Sequence, residues 1–101
     1  MNIRTHTLQT AESLINGDRN NQYGPPTQDF ERTAQLWSTY LEQHLEEGRS
    51  LRGHDVAAMM ILLKLSRISW SPEREDNWID IAGYAACGNE CTYWESTTLP
   101  D

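Results

Sequence analysis

A chain of 101 residues has room for one hydrophobic core, and a core of that size covers only about two-thirds of the surface that the unfolded chain exposes. A net charge of −7 and a pI near 4.8 exclude a sequence-independent grip on DNA or RNA. No basic cluster points to a membrane surface, and the longest apolar run, residues 56–63, is far short of a bilayer span.

The opening MNIRTHTLQT has no hydrophobic segment of the kind a secretory signal needs, so the expected location is the cytoplasm. Cys87 and Cys91 lie four residues apart on a helical pattern, which is poor disulfide geometry and reads as two reduced thiols. Small helical proteins commonly share a core between subunits, so a homo-oligomer is expected.

Leu8, Ala11, Leu14 and Ile15 recur at helical spacing before Gly17, which predicts a first helix over about 7–16 on the outside of the fold. Residues 18–26, DRNNQYGPP, read as a loop, because two prolines behind a glycine oppose regular helix. Two readings of that loop stand together. It is a polar connection, or it closes over a ligand, with Tyr23 stacking on a ring and Gly24 letting the backbone approach.

The next helix is predicted over about 27–47, capped by Thr27, with Asp29 and Glu31 in its positive first turn. Phe30, Ala34, Trp37, Leu41 and Leu45 form its apolar stripe, flanked by Tyr40 and by His44 as a packing residue. Glu42 and Glu46 sit one turn apart on another face, solvated or sharing a cation.

A central helix over about 55–69 is apolar nearly all round, with Asp55 as cap or first-turn acid. Lys64 and Arg67 share a stripe on it, and Asp55 points the opposite way, so both cations need partners on another element. A last helix is predicted from Ser71-Pro72 to about residue 94, with a frayed tail over 95–101. One of its faces carries Trp78, Ile81, Ala82, Ala85 and Ala86, and another carries Asp76, Asp80, Gly83, Tyr84, Cys87 and Cys91. Such a helix is expected to be sandwiched. With no strand pattern, the fold class is all-α, an antiparallel bundle of about four helices in a single domain over 1–101.

The chemistry concentrates on acids beside cations. Asp76 and Asp80 stand one turn apart, a spacing that lets two carboxylates share a magnesium ion, and Lys64 or Arg67 can hold a phosphate. The alternative is an interhelical salt-bridge network among these four groups.

The segments NQYGPPTQDFERTAQLW, HDVAAMMILLKLSRI and DNWIDIAGYAA resemble a family of small phage and prophage proteins. That family in turn is similar to the all-α nucleoside triphosphate pyrophosphohydrolases, the MazG-like and dUTPase-like group. The resemblance implies an oligomeric bundle whose acids bind magnesium while water attacks between the α- and β-phosphates of a (deoxy)nucleoside triphosphate. It implies Asp76 and Asp80 as the metal-holding catalytic acids, with Glu42 and Glu46 as further metal ligands. Lys64 and Arg67 would bind phosphates, Tyr23, Asn77 and Tyr84 would contact the base or sugar, and Gly24 would let the backbone approach the ligand. The spacing of Asp76 and Asp80 is one residue longer than the enzymes' E-x-x-D, and Glu42 and Glu46 give E-x-x-x-E where the enzymes have E-E-x-x-E. A non-catalytic alternative follows: a nucleotide binder that sequesters a cyclic or modified signal of host defence. A module serving only assembly is a third.

Overall fold

The computed structural model describes residues 2–98. Asn2 caps α1 (Ile3–Asn16), its side chain accepting from the backbone N–H groups of Arg4 and Thr5 at 2.8 and 3.3 Å. This cap starts the helix four residues ahead of the start predicted at about residue 7. Immediately after Gly17 the chain forms a second, short helix, α2 (Asp18–Tyr23), with Asp18 in its first turn. The loop expected over 18–26 is therefore corrected: Gly24 and Pro25 end helix rather than prevent it. Only the residues beyond Tyr23 are constrained by the prolines.

Helix α3 (Pro26–Glu47) carries Pro26 at its start, where the missing N–H costs nothing, so Pro25 rather than Thr27 is the cap. It ends at left-handed Gly48. In α4 (Gly53–Trp70) the carboxylate of Asp55 accepts from the Arg52 N–H at 2.8 Å, within the first turn. A turn through Ser71 and Arg74 then leads into α5 (Glu75–Thr98), which begins later than Ser71-Pro72 and continues past Trp94. The part of the expected frayed tail over 99–101 lies outside the described residues.

The protein is all-α, with four long helices. Helix α4 lies at the centre: α5 packs along it most extensively, α3 packs on another side, and α2 wedges against α3 and α4. Among the described residues α1 meets α2 alone, and α3 does not meet α5. A bond from Trp37 Nε1 to the Met59 carbonyl, 2.7 Å, pins α3 to α4. Between α4 and α5 the close approach falls at Gly88, where a Cβ would come within 2.9 Å of the Ala57 methyl. Ala57 is the one buried apolar side chain among those described, whereas Asp29, Thr33, Asp55, Ser66, Ser71 and Asn77 are buried polar groups. Phe30 and Leu45 on α3, and Trp78 and Ile79 on α5, are exposed. The radius of gyration, 16.8 Å, exceeds the roughly 13 Å of a compact domain of this length.

Candidate functional site

Three arginines from three helices converge on the turn that joins α2 to α3. Arg19 donates to the Gly24 carbonyl at 3.2 Å and to Asp29 Oδ2 at 2.8 Å. Arg67, on α4, places Nε 3.8 Å from the same carboxylate oxygen and its guanidinium carbon 4.0 Å from the centre of the Tyr23 ring. Arg32, one turn along α3 from Asp29, donates to the Tyr23 carbonyl at 3.4 Å and lies 6.0 Å from the Trp70 ring.

Gly24 holds φ of +80°, and a Cβ there would meet the Trp70 ring at 2.9 Å, so a side chain is excluded twice over. Trp70 Nε1 donates in turn to the Asn21 carbonyl. The turn is thus held from below by an indole and from the sides by guanidinium groups.

The charges at this turn do not balance. Asp29 is wholly buried and pairs with two of the three guanidinium groups, those of Arg19 and Arg67. Asp29 Oδ1, Arg32 Nε and Arg67 Nε are buried without a hydrogen-bond partner. Positive charge is thus concentrated at this turn in a chain of net charge −7. Two cavities open beside it: one of about 340 Å³ lined by Arg32, Gln35, Leu65, Ser66 and Ser69, and one of about 290 Å³ lined by Phe30, Thr33, Trp37 and Arg67.

Of the residues singled out from sequence, Tyr23, Gly24 and Arg67 meet here. Arg19, Asp29, Arg32 and Trp70 were missed as site residues. The available signal was Arg67 itself, a cation on an apolar helix that needs a carboxylate from elsewhere.

Lys64 and Asp80 pair across α4 and α5 at 2.8 Å, the interhelical bridge that the sequence left open. Arg67 does not join it. Asp76 is exposed and makes no ion pair among the described residues, and Asn77 is buried one position on. Tyr84 and Asp80 line a shallow cavity of about 280 Å³ with Ile79, Gly83 and Cys87. Glu42 and Glu46 lie exposed on α3, a helix that does not touch α5, so a single chain does not bring them to Asp76 and Asp80. Among the described residues no three His, Cys, Asp or Glu side chains are arranged to hold a metal. Among the described residues the acids of one chain therefore do not gather into a magnesium cluster. Both cysteines are free thiols.

Asp55 proves to be far more than a first-turn acid. Almost fully buried, it accepts from Tyr40 Oη at 2.7 Å, lies 2.8 Å from His44 Nε2 and 3.3 Å from His54 Nε2. Burial alone would raise its carboxyl, but the hydrogen bonds from Tyr40 and Arg52, with the imidazoles of His54 and His44, hold it below the usual carboxylate range. Tyr40 moves the other way: burial, then the bond to Asp55 and its charge, push the phenol up to about 12. On the far side His54 Nδ1 lies 2.5 Å from Glu95 Oε2, which ties the end of α5 to the start of α4. His44 stacks on Tyr40 with 5.2 Å between ring centres and joins this network, where the sequence read it as packing alone. The network is structural in character: it fastens α3, α4 and α5 together, and every member faces another.

The chain matches the family model described as "Domain of unknown function (DUF6378)" over residues 6–92. It is 40% identical over 80 residues to the Gene 55 protein of Mycobacterium phage D29, covering 79% of this chain and 49% of that protein. Against the Gene 55 protein of Mycobacterium phage L5 it is 44% identical over 78 residues, covering 77% and 47%. The chain thus spans about half the length of these curated relatives. No solved structure matches.

Proposed function

The chain belongs to the DUF6378 family, which relates it to phage proteins, and from that premise we propose that it binds a nucleotide or nucleotide-derived anion at the turn between α2 and α3. Arg19, Arg32 and Arg67 take the phosphate oxygens, and the Tyr23 and Trp70 rings bracket the turn. The observation that supports this most is the concentration of positive charge: three guanidinium groups at one turn, two of them on a single buried carboxylate. Guanidinium groups bind phosphate through paired N–H donors and need no metal to do so. Binding without cleavage, of the kind that sequesters a nucleotide signal, requires nothing beyond these groups.

A second reading rests on Asp76, which stands exposed one turn from Asp80 and keeps its carboxylate unengaged. In that reading the protein is a magnesium-dependent nucleoside triphosphate pyrophosphohydrolase in a homo-oligomer, and glutamates of another copy complete the acids. Thermal unfolding across a panel of dNTPs and cyclic dinucleotides separates the readings. Stabilisation in EDTA, with intact ligand recovered, supports metal-free binding. Pyrophosphate released only with magnesium, and lost in Asp76→Asn, supports the hydrolase. No shift with any nucleotide, with or without magnesium, would sink both.

A further inference from the structure

The cavity of about 290 Å³ between α3 and α4 is walled by Phe30, Thr33, Ala34 and Trp37 on one side and by Leu63 and Arg67 on the other. Phe30 and Trp37 stand seven residues apart on α3, about 10 Å along its axis. Ala34 lies between them, and its small side chain leaves the gap. Phe30 is 56% exposed, yet its ring is not loose, because the Arg19 guanidinium lies 5.0 Å from its centre.

The hydrogen-bond donors of this wall are committed elsewhere, with one exception. Thr33 Oγ1 donates to the Asp29 carbonyl at 3.0 Å, and Trp37 Nε1 to the Met59 carbonyl at 2.7 Å. Arg67 remains, with its Nε buried and without a hydrogen-bond partner. The cavity beside Arg32 differs: Gln35, Ser66 and Ser69 line it, and no aromatic ring does.

We infer, resting on the reading that the α2–α3 turn binds a nucleotide, that the ligand's base lies between Phe30 and Trp37 with its nearest phosphate on Arg67, and that one base is not distinguished from another. A flat ring with an anion at one end matches walls that are apolar and aromatic and whose one free donor is a guanidinium. Every base offers a π-face to such walls, so stacking is tolerant of base identity. Telling bases apart takes polar groups that would be left unpaired by the wrong one, and an apolar pocket rejects near-isosteres poorly. The ligand class is therefore nucleoside phosphates at large, recognised as a ring joined to an anion.

Calorimetric titration in EDTA compares ATP, GTP, CTP and UTP with inorganic tripolyphosphate, which carries the phosphates and no ring. The four nucleotides are expected to bind within about fivefold of one another, and tripolyphosphate at least about tenfold more weakly. Phe30→Ala removes one ring and Ala34→Leu fills the gap. Both positions are exposed, so helical circular dichroism is expected to stay unchanged. Each substitution is expected to weaken the nucleotides at least about tenfold and to leave tripolyphosphate binding within about twofold. No binding of any nucleotide, nor of tripolyphosphate, overturns the base site together with nucleotide binding itself. Nucleotides that bind no tighter than tripolyphosphate, that ignore both substitutions, or that differ among bases by more than about tenfold overturn the base site alone.

Discussion

Among the described residues Asp29 and Asp55 are the two wholly buried acids, and each does the work of a core residue where almost no apolar side chain is buried. Sequence placed both in the first turn of a helix, where an acid complements the positive dipole end, and that assignment holds for each. What periodicity cannot show is burial of a carboxylate, because burial depends on cations and hydroxyls delivered by other helices. Asp29→Asn removes the charge facing Arg19 and Arg67 and leaves guanidinium groups uncompensated. A loss of about 3 kcal/mol is expected, read from urea unfolding.

Tyr40 supplies a pH test of the second acid. Its phenol sits at about 12 in the folded chain, above an ordinary value of 10.0. The folded state therefore holds this proton after the unfolded state has begun to lose it. The contribution is complete below pH 10 and is lost as pH rises toward 12. Absorbance of tyrosinate should show one late-titrating phenol that disappears in Tyr40→Phe, and the alkaline fall in stability should be shallower in that variant. Asp55 acts in the opposite sense, stabilising above the ordinary carboxylate value of 3.8 and failing as the pH drops below it.

At the scale of helices, α4 was legible in advance because it is apolar nearly all round, and its two cations did find partners on other elements: Lys64 on α5, Arg67 on α3 and α2. The short helix α2 was not legible. Its backbone is helical only up to Tyr23, and the Gly-Pro-Pro sequence behind it dominated the reading. The two faces of α5 could not be ranked from sequence either, because both mix small, aromatic and polar residues. Gly88 decides the matter in the structure: its missing Cβ is what lets α5 reach Ala57. Gly88→Ala gains helix propensity but forces the helices apart, and a net loss of about 1–2 kcal/mol is expected in thermal or urea unfolding. No change, or a gain, would mean that the α4–α5 contact yields at no cost.

Taken whole, the molecule brings three of its eight cationic side chains together at one turn, that of Arg19, Arg32 and Arg67. Composition established the net charge of −7 but could not show that three arginines far apart in sequence meet. Their convergence comes from α2 and α3 doubling back on each other and from α4 ending beside them. The all-α class followed from helical periodicity throughout and from the absence of any strand pattern.

The central claim concerns that turn, and calorimetric titration of nucleoside triphosphates and cyclic dinucleotides in EDTA tests it most directly. Arg32 is the informative variant, since the ion pairs of Asp29 are with Arg19 and Arg67 and not with it. Binding by the wild type, weakened at least about tenfold in Arg32→Ala and in Arg67→Lys while helical content is kept, is the predicted result. Binding that survives both substitutions unchanged would contradict the account and move the ligand to another part of the molecule.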